Sequence, residues 1–102
     1  MKTDKIDDFD FLRGHSPSEV TCLEVKDESL RLEGLPRGRR LFCLAASQAQ
    51  PGDRVVLSCD GNYYYRIYRP SGSFAQFDHV LNYSPPLYFE VGRFTIEYVV
   101  VN

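Results

Sequence analysis

The chain has 102 residues, with 12 Lys and Arg against 14 Asp and Glu for a formal charge of −2, and it is 43% hydrophobic and 14% aromatic. Near-balanced charge excludes a general attraction to nucleic acid or to an anionic membrane, and the apolar content excludes a disordered chain. A domain of this length buries roughly two-thirds of its unfolded surface, so its core needs no disulfide or metal to hold it.

Charge is unevenly spread. Residues 1–36 hold nine acidic and five basic side chains, and residues 37–102 hold five and seven, a mild asymmetry that differently solvated faces produce. Cys22, Cys43 and Cys59 each sit in an apolar run, and an odd count of that kind reads as reduced, buried thiols. No signal peptide follows Met1, and no apolar run approaches the ~20 residues of a membrane helix. A soluble, cytoplasmic location is the expectation.

In chain order, residues 1–19 form an acidic arm with an apolar knot at Phe9, Phe11 and Leu12 that is suited to docking. Ser16-Pro17-Ser18-Glu19 matches a capping box with Pro at the first helical position. Residues 20–102 make up the domain. Val20–Lys26 and Leu30–Glu33 read as a hairpin across Asp27-Glu28-Ser29, with Leu30 and Leu32 inward. Arg39–Ala46 is apolar on both faces from Leu41 onward, the pattern of a strand covered on both sides.

The strongest hairpin signal is Pro51–Pro70, with Asp60-Gly61-Asn62 between two apolar runs. A two-residue loop would mix charge into both faces, so the expected loop has three residues. That register turns Val55, Leu57, Cys59, Tyr63, Tyr65 and Ile67 inward and Arg54, Val56, Ser58, Tyr64, Arg66 and Tyr68 outward.

Ser73–Leu81 fits either a helical face or an irregular strand, and strand is preferred. A Gly92-Arg93 turn predicts a last hairpin pairing Val91 with Phe94, Phe89 with Ile96 and Leu87 with Tyr98. Val99–Val101, apolar on both faces, is either buried between layers or free to pair with another chain. About seven short strands and no long helix predict an all-β, single-domain antiparallel β-sandwich, immunoglobulin-like or jelly-roll-like, with a small closed barrel as second choice.

Gly52–Cys59 (GDRVVLSC) superficially resembles an early core strand of an immunoglobulin-type domain. With no tryptophan and no cysteine after Cys59, the spacing that defines that family is absent. A nucleophile–base set drawn from Cys59 or Cys22, His79 or His15, and Asp78 is the only catalytic combination on offer, and no nucleophile elbow or phosphate loop accompanies it. No two Cys or His stand at short ligand spacing, so neither metal nor cofactor is expected.

Tyr64, Arg66 and Tyr68, with Arg54, are then the candidate partner-binding face, since Tyr and Arg dominate binding hot spots. Arg37, Arg39 and Arg40 form a secondary basic patch suited to an acidic partner. The expected function is a non-enzymatic protein-interaction module: an inhibitor, an adaptor or an assembly subunit, including a virion or secretion-apparatus component. Its expected partner is another protein or a second copy joined through an edge strand, with nucleic acid unfavoured by charge. The alternative is a carbohydrate or single-stranded nucleic acid binding domain with stacking tyrosines. The third is a small Cys/His enzyme.

Overall fold

The computed structural model describes residues 19–102. The docking arm expected at Phe9, Phe11 and Leu12 lies outside these residues, as does His15. Seven strands run in the order β1 (Thr21–Glu24), β2 (Arg40–Ala45), β3 (Arg54–Cys59), β4 (Asn62–Ser71), β5 (Phe74–His79), β6 (Leu87–Glu90) and β7 (Thr95–Val100). Two 3₁₀ turns, Arg31–Glu33 and Ala46–Gln48, supply the helical backbone between them.

The all-β, antiparallel, seven-strand architecture is as expected, and Phe74–His79 is a strand. All seven strands join one open sheet, in the order β1-β2-β7-β3-β4-β5-β6, where a sandwich would have two. The sheet buries apolar side chains on both faces. Leu35, Leu41, Cys43, Val56, Tyr65 and Val100 pack on one; Leu44, Val55, Leu57, Ala75, Phe77 and Val99 pack on the other. This explains why β2, β3 and β7 read as continuous apolar runs: an interior strand covered on both sides has no polar face to alternate with.

Three pairings differ from the sequence expectation. First, β3 and β4 are joined by the two-residue loop Asp60-Gly61, with Val55 opposite Arg66, Val56 opposite Tyr65 and Leu57 opposite Tyr64. Asp60 and Gly61 take φ of 52° and 81°, the paired positive values of a type I′ turn whose twist matches the strands it joins. This register moves Tyr64, Arg66 and Tyr68 to the side of Val55 and Leu57. The charge it places there is accommodated by Glu33.

Second, residues 30–33 are not a strand. Arg31–Glu33 is a 3₁₀ turn closed by Gly34 at φ +101°, and β1 pairs instead with β2, Cys22 facing Phe42 and Leu23 facing Leu41. Leu32 is 86% exposed, so the alternation of Leu30 and Leu32 did not mark a core face.

Third, β6 and β7 do not pair with each other. The chain does turn at Gly92, where the Arg93 N–H donates to the Glu90 carbonyl at 3.0 Å. It then carries Phe94 onto Phe77, edge to face at 5.0 Å between ring centres. β7 enters between β2 and β3, where Val99 and Val100 are buried on opposite faces. The terminal valines are therefore interior and cannot serve as a pairing edge. Among the described residues, β1 and β6 are the edge strands of the sheet.

Candidate functional site

Ser29 sits at the second position of a tight turn in which the Arg31 N–H donates to the Glu28 carbonyl at 3.1 Å. Its own N–H and Oγ–H both donate to Asp27 Oδ1, at 2.9 and 2.7 Å. Asp-x-Ser is the local pattern in which a short acidic side chain bonds the backbone two residues on. Those two hydrogen bonds, helped by the charge of Arg37, hold the Asp27 carboxyl below the usual carboxylate range. Ser29 is exposed and lines two concavities. One, of about 250 Å³, is an apolar groove walled by Leu23, Val25, Leu30, Leu41 and Tyr98. The other, of about 540 Å³, contains Leu32, Glu33, Tyr63 and Tyr64.

Beneath this turn lies a buried polar cluster. Glu33 receives Arg66 in a two-pronged ion pair, Nε to Oε1 at 2.7 Å and Nη2 to Oε2 at 2.9 Å. Glu33 Oε1 also accepts the Tyr65 N–H at 3.2 Å, occupying β4 just before β5 begins to pair with it. Arg66 is 4% exposed, and its Nη1 lies 3.4 Å from the Pro85 carbonyl. His79, directly opposite Arg66 across the β4–β5 ladder, is also 4% exposed. The Leu81 N–H donates to Nδ1 at 3.1 Å, which fixes the tautomer and leaves Nε2–H to donate to the Leu32 carbonyl at 2.7 Å.

The Tyr/Arg face expected from the sequence is thus not an outward one. Tyr64 and Tyr68 are half-buried, Tyr68 stacking on Phe77 at 5.8 Å; Tyr63, at 57% exposure, is the outward tyrosine. Arg54 is exposed, its Nη2 donating to the Asn102 carbonyl at 2.9 Å. Arg37 and Arg40 are exposed and Arg39 half-buried.

Among the described residues a Cys/His dyad is not assembled either. Both ring nitrogens of His79 are engaged as above. Burial pushes the Cys43 thiol up to about 11, and burial, reinforced by Asp60, raises that of Cys59. Cys22, expected buried, is exposed, and all three thiols are unpaired. Among the described residues no three His, Cys, Asp or Glu gather to hold a metal ion. Nor is any helix among them long and apolar enough to cross a membrane.

The candidate residues that the sequence reading did not single out are Ser29, Asp27 and Glu33, all read as a hairpin turn and its second strand. Gly34 was the available signal: a glycine closing Leu-Arg-Leu-Glu suits a helical turn with a left-handed cap better than a strand.

The Peptidase S24-like family matches residues 2–75. The chain belongs to the Peptidase S24-like family. It is also 32% identical over 90 residues to the LexA repressor of Myxococcus xanthus (strain DK1622), an alignment covering 88% of this chain and 40% of that protein. The chain therefore spans about two-fifths of the length of that curated relative. Membership of the Peptidase S24-like family overturns the reading as a non-enzymatic inhibitor, adaptor or assembly subunit. It lends nothing to a virion or secretion role, to carbohydrate or single-strand binding, or to a Cys/His enzyme. Similarity to a repressor also removes the support for setting nucleic acid aside on net charge. The S24-like match takes in Ser29, Glu33 and Arg66 and stops before His79.

Proposed function

We propose that this chain is a peptidase-type domain of a LexA-like regulatory protein, with Ser29 as the hydroxyl that attacks a peptide bond and Asp27 as its proton acceptor. The observation that carries this reading is the place of Ser29: within the family match, it opens on an apolar groove and hydrogen-bonds a carboxylate through its reactive oxygen. A hydroxyl needs an adjacent base to become a nucleophile. As Oγ bonds to the carbonyl carbon, its proton passes to Asp27 Oδ1; the resulting tetrahedral adduct collapses with expulsion of the amine, which takes that proton back. Water then releases the acyl group from Oγ by the reverse route.

The base is a weak one. Its carboxyl is held low by the bonds it accepts from Ser29, so proton transfer is uphill and turnover is slow. Arg66 does not improve it, because a guanidinium stays protonated and has no lone pair to offer. Lys26, which lines the same groove as Ser29 and Asp27, has its side chain 80% exposed and lies 4.0 Å from Glu24. The outer edge of β1, unpaired among the described residues, lies beside the groove and supports a substrate laid down as an extended strand. Exposed Arg37, Arg40 and Arg54, with Arg39, support contact with an acidic partner.

The test is hydrolysis of a library of extended apolar peptides by the purified chain, followed by mass spectrometry beside Ser29→Ala and Asp27→Asn. Slow cleavage that disappears in Ser29→Ala and weakens in Asp27→Asn is expected. Cleavage undiminished in Ser29→Ala, or none at any pH, overturns the proposal.

A further inference from the structure

Residues 28–35 behave as one hydrogen-bonded unit: Glu33 N–H and Leu35 N–H both donate to the Leu30 carbonyl at 3.0 Å, and Gly34 N–H donates to that of Arg31 at 3.0 Å. This unit carries Ser29 at its start. Two side chains from directly paired positions on β4 and β5 grasp it, and neither belongs to the turn itself. Arg66 takes the Glu33 carboxylate with two N–H groups, while His79 takes the Leu32 carbonyl with one. Each also reaches the connection between β5 and β6, Arg66 at the Pro85 carbonyl and His79 at the Leu81 N–H. The fit between turn and connection is tight: a Cβ added at Gly34 would lie 2.8 Å from Val80 Cγ2.

We propose that Arg66 and His79 form a positioning latch that fixes the Ser29 turn against the sheet, and that protonation of His79 releases it. The functional meaning rests on the reading of Ser29 as the attacking hydroxyl; the mechanics do not. A protonated imidazole cannot accept the Leu81 N–H at Nδ1. Its new charge would also stand opposite the guanidinium of Arg66, with Glu33 already bonded to that group. The other charged groups lining the cavity at His79, Arg69 and Asp78, are paired with each other at 2.6 Å, so neither is free to offset the new charge. Tyr83 covers the ring at 5.8 Å. The imidazolium keeps its Nε2–H on the Leu32 carbonyl but loses its own anchor at Leu81 and is repelled by Arg66, so the ring, and the turn it grips, is no longer seated against the sheet.

Amide hydrogen exchange read residue by residue tests this without reference to catalysis. His79→Phe is expected to speed exchange at Glu33, Gly34 and Leu35 roughly tenfold, the scale of one lost buried hydrogen bond. The amides of β3 and β7 keep their rates. His79→Gln, which keeps an N–H donor for Leu32, returns most of the protection and removes its pH dependence. In the unaltered chain, loss of protection at the turn should follow the His79 ring titration seen in the same spectra, an arm that needs no variant to fold. Faster exchange spread evenly over turn and sheet, or a turn indifferent to the His79 titration, overturns the latch. Peptide hydrolysis assayed in parallel separates the two claims: a latch that opens in a chain without Ser29-dependent cleavage removes the catalytic reading and leaves the latch standing.

Discussion

Val55, fully buried, stands directly opposite Arg66 across the β3–β4 ladder, so a guanidinium lies beside the apolar core and is neutralised there by Glu33. Removing one partner of such a pair leaves an uncompensated buried charge and costs about 3 kcal/mol. Glu33→Gln should lower the unfolding free energy by that amount, read as a lower urea midpoint with little change in slope. Replacing both partners with apolar residues, Glu33→Leu with Arg66→Met, should recover most of the loss. Equal instability of the single and double variants would mean that the pairing of charge is not what matters here.

Gly61, at φ +81° in the type I′ turn, has no atom within 4 Å of where a Cβ would lie. The cost of a side chain is therefore conformational rather than steric against neighbours. Gly61→Val is expected to destabilise by about 1–2 kcal/mol. Thermal unfolding measures it, and a Gly61→Val chain as stable as the original would mean the loop is not held in this form in solution.

Asp78 accepts hydrogen bonds from Gln76 and from Arg69, both at 2.6 Å. In that order they hold its carboxyl below the ordinary 3.8. As pH falls, the unfolded chain takes up this proton first. The stabilisation is therefore present above 3.8 and is lost as pH drops from there through the lower folded value. Asp78→Asn should be less stable than the unaltered chain near neutrality, the difference closing toward about pH 2. Parallel stability–pH curves would contradict the assignment.

The thiols should separate by reactivity, since only the thiolate reacts. Cys22 is exposed, while burial raises Cys43 from 9.0 to about 11. A thiol-specific disulfide reagent at mildly alkaline pH should label Cys22 at once, and Cys43 and Cys59 only as fast as the chain opens. Above pH 9.0 the unfolded chain deprotonates Cys43 before the folded one does, so stability should fall as pH rises through that window. Rapid labelling of three thiols in the folded chain would contradict the burial described.

The strands were legible because their signals are local. Val55–Cys59 and Tyr63–Tyr68 are β-branched or aromatic runs around a turn dipeptide, and Val99–Val100 is apolar on both faces wherever it pairs. Partnership was not legible in the same way. Gly92 marks a turn truthfully, yet nothing nearby says that Phe94 will cross to Phe77 and send β7 between β2 and β3. The β3–β4 register failed for a related reason: Asp60-Gly61 asked for two residues, but facing Arg66 into the core looked prohibitive without Glu33, which lies 33 positions earlier. Ser29 was hidden by the same logic. A serine in an acidic turn is ordinary in sequence, and only the groove beside it and the cluster below it set it apart.

The insertion of β7 between β2 and β3 also has a consequence for how the molecule assembles. From β3 to β6, consecutive strands are spatial neighbours and can zip together as the polypeptide is made. Among the described residues, β1 and β2 pair only with each other until residues 95–100 arrive, and an isolated two-stranded ribbon is marginal in water. Cys43 and Leu44 therefore wait, incompletely covered, for a strand more than fifty residues downstream. Closure of so long a loop is slow, which makes this segment the place where chaperones, or other nascent chains, have time to intervene.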